Sequence, residues 1–129
     1  MLTVIAICLG ACVGALSRWQ LGLWLNPQPA SAGLLPWGTL VANLIGGYLV
    51  GVCVGVFQQL PELDPVWRLA LVTGFLGALT TFSSFSSEVV HMLLNARYAT
   101  ALLTASLHVI GSLLCTLAGI KTVEWLWLR

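Results

Sequence analysis

Thr80-Thr81-Phe82-Ser83-Ser84-Phe85-Ser86-Ser87 places six hydroxyl side chains and two phenyl rings within eight residues. The run follows Gly74-Phe75-Leu76-Gly77-Ala78-Leu79, in a stretch otherwise apolar enough to cross a bilayer. A hydroxyl facing lipid finds no partner, and leaving it so is costly. Such a run persists at membrane depth only where it is buried in protein or lines a wet, polar path. Phe82 and Phe85, three residues apart, share a face if the backbone is helical. The chemistry offered is hydrogen-bond donation beside aromatic edges. No nucleophile–base arrangement and no metal-ligand spacing accompanies it, so the chain does not read as an enzyme.

The elements that must position this run are membrane helices. With 129 residues, 59% hydrophobic and 7% charged, and a mean hydropathy of +0.99, the chain is outside the range of soluble domains. All five prolines fall at joints between apolar stretches: Pro27 and Pro29, Pro36, then Pro61 and Pro65. Asn26 to Gly33 and Gln58 to Pro65 read as loops, and Asn95-Ala96-Arg97 as a tight turn. The apolar stretches are helices at about 2–25, 37–57, 66–94 and 98–123, each near or above the roughly 20 residues needed to span the hydrocarbon. The prediction is an all-α membrane protein, a single transmembrane domain over residues 1–129. The first stretch lacks a basic n-region and is expected to stay as a helix. A net charge of +1 argues against nucleic acid as a partner.

The third helix is longer than a bilayer requires, and its middle holds Gly74, Gly77 and the hydroxyl run. Glycine weakens a helix and hydroxyls compete for its backbone bonds. A break is therefore expected near residues 75 to 81, freeing carbonyls to coordinate an ion or substrate near the midplane. Gly10 and Gly14, and Gly47, Gly51 and Gly55, read as helix contact faces. Cys8, Cys12, Cys53 and Cys115 read as packing residues.

Topology carries little bias. Arg68, Lys121 and Arg129 lie towards one side, Arg18 and Arg97 towards the other, a near-balance under the positive-inside rule. Trp19, Trp24 and Trp37 are matched by Trp67, Trp125 and Trp127 at the opposite interface. Such a chain is suited to insert both ways. Four helices are few to enclose a pathway, which points to an antiparallel, dual-topology homodimer.

Three stretches then carry a family resemblance: Gly10 to Trp19 (GACVGALSRW), Gly38 to Gly47 (GTLVANLIGG), and Thr73 to Ser86 (TGFLGALTTFSSFS). They resemble the signatures of the CrcB/Fluc fluoride channels over nearly the whole chain. Ser84 stands where Thr is common in that motif, and Ala78 where Gly is common. The resemblance implies passive, selective export of fluoride across the inner membrane by a multi-pass protein, which lowers fluoride toxicity. It implies an antiparallel homodimer with two pores and a central structural sodium ion that is not transported. Carried over, Phe82 and Phe85 match the aromatic pair of the pores, and Asn43 the pore-lining amide. Ser83, Ser84, Ser112 and Thr116 match the polar track, and Arg18 the basic residue of the vestibule. Gly77 and Thr80 match the sodium site, through main-chain oxygens.

These residue types suit the ion. Fluoride is small and strongly hydrated, so a pore must replace water's donors, which amide and hydroxyl groups can do. Phenyl edges are the positive rim of the ring quadrupole. Sodium takes oxygen ligands, and two carbonyls per subunit on a two-fold axis would supply four. The alternative reading is a small four-helix proton-coupled exporter, although the first two helices hold no Asp or Glu; a membrane assembly factor would leave the hydroxyl–phenyl run without a purpose. His108 reads as a packing residue and only secondarily as a pathway group, and Glu88 as reaching the interface.

Overall fold

The computed structural model describes residues 1–26 and 35–129. Most of the expected first loop, residues 27–34, lies outside the described residues. Every regular element among the described residues is helical: α1 (Leu2–Leu25), α2 (Trp37–Gln59), α3 (Pro65–Arg68), a π-helical stretch (Leu69–Leu76), α4 (Gly77–Leu79), α5 (Phe82–Leu94) and α6 (Tyr98–Trp127). Four segments are long and apolar enough to cross a membrane, the third running from Pro65 to Leu94. Their outer faces carry Leu9, Val13, Leu16, Leu113 and Leu117, all exposed. That is the expected exterior for a chain whose solvent is lipid.

Local chemistry sets the ends of the third segment. The Asp64 side chain accepts from the Val66 N–H (2.9 Å), and Pro65 occupies the first helical position, where a missing N–H costs nothing. At the far end the Arg97 N–H donates to the Met92 carbonyl (2.9 Å) and the Ala96 N–H to Leu93 (3.0 Å). This pair of bonds is a Schellman closure, with Ala96 at φ 56° in the position usually held by glycine. The expected tight turn at 95–97 is therefore a helix stop that reverses the chain into α6. Two helices continue past their expected ends, α2 to Gln59 and α6 to Trp127. The last turn of α6 is supported by a Lys121–Glu124 ion pair (2.6 Å) and by Arg129 over the Trp125 ring (3.9 Å).

Packing follows the glycines. A side chain at Gly10 or Gly14 would overlap backbone atoms of the third segment, at Ala70 and Phe75 respectively. A π-helix is wider than an α-helix, and these two glycines let α1 lie directly on it. On the opposite flank Gly51 faces the Thr116 backbone and Gly119 of α6 faces the Tyr48 backbone. The α2–α6 pair thus meets backbone to backbone, as small-residue stripes do in membranes. Between these flanks runs the interrupted third segment.

Candidate functional site

The interruption falls at Thr80 (φ −82°, ψ 155°) and Thr81 (φ −151°, ψ 118°), two extended residues between α4 and α5. It lies within the stretch where glycine and hydroxyl content predicts a break. Two extended residues at membrane depth strand backbone groups, and each needs a partner. Asn43 of α2 supplies them: its Oδ1 accepts from the Thr81 N–H (2.8 Å) and its Nδ2 donates to the Thr81 carbonyl (3.1 Å). A side-chain amide thereby takes the place of a neighbouring strand. Thr80 turns its own hydroxyl back to the Leu76 carbonyl (2.9 Å), which the Thr80 N–H also reaches (3.0 Å).

The second half restarts on the hydroxyls. Thr81 Oγ1 accepts from the Ser84 N–H (3.1 Å), an N-cap. The same oxygen lies 3.2 Å from Ser83 Oγ and 3.1 Å from Ser84 Oγ. Ser83 and Ser84 therefore sit in the capping cluster that starts α5. The break leaves several carbonyls without helical donors, those of Gly77 and Thr80 among them. The N–H groups that would close helical bonds to Gly77 and Thr80 belong to Thr81 and Ser84, and both are committed elsewhere.

Beside the break an open groove of about 310 Å³ lies between α2, α5 and α6. Asn43, Phe82, Phe85, Ser112 and Thr116, singled out by sequence, line it together with Thr80, Thr81 and His108. Ser83, Ser84, Gly77 and Arg18 are not part of its wall. No formal charge lines it, so whatever occupies it meets dipoles and ring edges. Phe82 is 77% exposed on this single chain, while Phe85 is buried. The two rings meet edge to face at 5.5 Å and 63°. Phe85 also stacks on the His108 ring at 4.6 Å.

His108 is more deeply engaged than its sequence position suggests. Its Nδ1 lies 3.0 Å from Asn43 Nδ2. An amide nitrogen only donates, so Nδ1 accepts and the ring proton resides on Nε2. That Nε2–H is buried without a partner among the described residues. On α6 the Thr116 hydroxyl reaches the carbonyls of Gly47 (3.0 Å) and Ser112 (2.9 Å), tying α6 to α2. Ser112 Oγ has no partner among the described residues.

Sequence reasoning missed one pair altogether. Thr39 Oγ1 donates to Glu88 Oε1 (2.6 Å) across α2 and α5, and Glu88 Oε2 is buried without a partner. Glu88 turns inward to the first turn of α2. The available signal was that Glu88 is the one carboxylate between Phe82 and Leu94, and ionisable groups inside spans usually serve function. Among the described residues no three of the His, Cys, Asp and Glu side chains gather as a metal site.

Residues 5–120 match the family described as "CrcB-like protein, Camphor Resistance (CrcB)". The chain is 68% identical over 126 residues to a protein of Albidiferax ferrireducens named "Fluoride-specific ion channel FluC", covering 98% of this chain and 94% of that one. Proteins of the same name from Variovorax paradoxus and Paracidovorax citrulli are 61% and 56% identical, covering 96% and 99% of this chain and 96% and 98% of theirs.

Proposed function

The chain belongs to the CrcB family, and on that premise we propose that it is a fluoride-selective channel of the cell membrane, letting the ion leave the cytoplasm passively. The family is one of ion channels and not of enzymes, and four membrane-length helices make this a multi-pass protein. The observation that carries the reading is the groove: donors and phenyl edges with no fixed cation, midway along three spans. Ser112 Oγ and the His108 N–H are free to donate, and the Asn43 amide and Thr116 hydroxyl can exchange their protein acceptors for an anion. Donors of this kind replace the water lost by a small anion. Without a lysine or arginine the sites stay weak enough to release it.

One chain leaves the groove open and Phe82 uncovered. A second copy in inverted orientation closes it, and the two-fold axis then makes two equivalent pores. The near-balance of basic residues across the two ends supports insertion both ways. The released carbonyls of Gly77 and Thr80 suit a structural sodium ion on that axis, because a hard cation takes oxygen ligands and their helical donors are committed elsewhere. When bound, the ion supplies a positive charge that joins the subunits. Gly77 is exposed on the single chain, as a residue at such a junction must be.

The purified protein in liposomes tests all of this. In sodium it is expected to release fluoride electrogenically and to retain chloride, with cross-linking that reports dimers. In a large organic cation both the dimer fraction and the flux fall. Equal release of both halides rejects the selective channel, indifference to the cation rejects the sodium site, and a tag at Arg129 found on only one side of intact cells rejects the antiparallel pair. The alternative is a proton-coupled exporter, favoured by one observation, the buried and unpartnered Glu88 Oε2. Flux that strictly requires a pH gradient would select it.

A further inference from the structure

The break is held at Thr81 by Asn43, but Thr80 is seated by a different residue of the same helix face. Gly46 lies one turn beyond Asn43 on α2 and is buried. A Cβ built at Gly46 overlaps the Thr80 methyl, Cγ2, whereas the next atoms are at ordinary contact: Thr80 Cβ at 3.6 Å and Leu79 Cδ2 at 4.0 Å. The obstruction is thus one methyl group. Turning that methyl away has a cost. The Thr80 hydroxyl is bonded to the Leu76 carbonyl at 2.9 Å, and turning the β-branched side chain to relieve the overlap would break that bond.

We propose that Gly46 is a positioning residue for ion conduction, a socket whose missing side chain receives the Thr80 methyl and so sets where the broken backbone sits. Asn43 and Gly46 then act as a two-point seat. Asn43 clamps the Thr81 amide and carbonyl, and Gly46 fixes the residue before it. What depends on the seat is the departure of α5, and with it Phe82, Phe85 and the Thr80 carbonyl. A Cβ added at Gly47, the neighbouring glycine, would come within 2.9 Å of the Ser112 carbonyl of α6, so the two glycines serve different partners. This inference rests on the channel reading above.

The test moves a methyl group from one side of the contact to the other. Gly46→Ala adds the clashing Cβ, and Thr80→Ser removes Cγ2 while keeping the hydroxyl bond and the main-chain oxygen. Fluoride release is followed in liposomes at low protein density, where the fraction of vesicles that empty counts folded channels and the time constant gives the rate per channel. Gly46→Ala is expected to slow the per-channel rate at least about tenfold in the Thr80 background. In the Thr80→Ser background the same substitution should change it by less than about threefold. A merely structural glycine would lower the fraction of emptying vesicles and leave the time constant alone. A wild-type rate in Gly46→Ala overturns the proposal, and so does an equal slowing in both backgrounds. If Gly46→Ala does not fold, the double variant decides: folded with the rate of Thr80→Ser alone it supports the seat, and unfolded it overturns it. If the unmodified protein conducts no fluoride, the channel reading fails by itself. The seat is then judged on the side-chain amide signals of Asn43 by NMR, which should shift in Gly46→Ala and return in the double variant; signals unmoved by Gly46→Ala overturn it.

Discussion

The α2–α6 pair and the third membrane segment solve the same problem in opposite ways. Both must keep every backbone polar group bonded in a medium without water. In α2 and α6 the helices are uninterrupted over 23 and 30 residues, so the backbone satisfies itself. Side chains can then be dispensed with at the contact, where Gly51 and Gly119 meet the facing backbone. The third segment gives up helical bonds at Thr80–Thr81 and must borrow partners from side chains, chiefly Asn43 and the Thr81 hydroxyl. The difference teaches where chemistry can reside. A self-satisfied helix pair can offer a ligand only side chains, as Ser112 and His108 do here. A broken segment can offer backbone carbonyls as well.

The comparison can be broken hardest at Asn43. Asn43→Ala strands the Thr81 N–H and carbonyl and removes the donor to His108, at about 1–3 kcal/mol for each buried group left unpaired. Flux is expected to fall by more than about a hundredfold, with a lower thermal midpoint in detergent. Near-native flux and stability from this variant would mean that the break does not depend on its clamp.

Gly51→Val should act in the reverse sense. The added side chain meets the Thr116 backbone and comes within 3.1 Å of the Gly119 Cα. Overpacking of this kind costs about 1–3 kcal/mol, so thermal stability and folded yield drop. The rate per surviving channel should fall less than in Asn43→Ala, since the break is untouched and only the Thr116 end of the groove is pressed. A per-channel loss comparable to that of Asn43→Ala would erase the distinction between scaffold and pathway.

Phe82→Ile and Phe85→Ile sharpen it within the pathway itself. Phe85 is buried against His108, so its replacement loses about 1 kcal/mol of ring stacking, seen as a small shift of the thermal midpoint. Phe82 is largely exposed on the single chain and keeps only the edge-to-face contact with Phe85, so its replacement should move the thermal midpoint of a monomeric preparation less than that of Phe85. Both should slow fluoride release, because isoleucine keeps apolar bulk but lacks the positive ring edge. Wild-type release from the double variant would reduce the rings to packing.

Much of this architecture was legible before any coordinates. Apolar length set the four spans, prolines set the joints, and Gly77 followed by the Thr/Ser run pointed to a break in the third. These features are local: hydropathy, ring constraint and backbone propensity act within a few residues, so they can be read from the chain alone. The family resemblance rests on the same local motifs.

Partnership was decided only in three dimensions. Nothing local says that Asn43 bonds Thr81, 38 positions away, or that His108 closes the same network from α6. Nor does spacing show that Ser83 and Ser84 join the cap of α5 while Ser112 and Thr116 line the groove, although the family resemblance groups all four in one polar track. Thr39 and Glu88, 49 residues apart, went unpaired for the same reason. A membrane sequence encodes which groups need partners, because lipid supplies none. Which group meets which is determined by how closely the glycine faces let the helices approach, and that is a property of the packed structure.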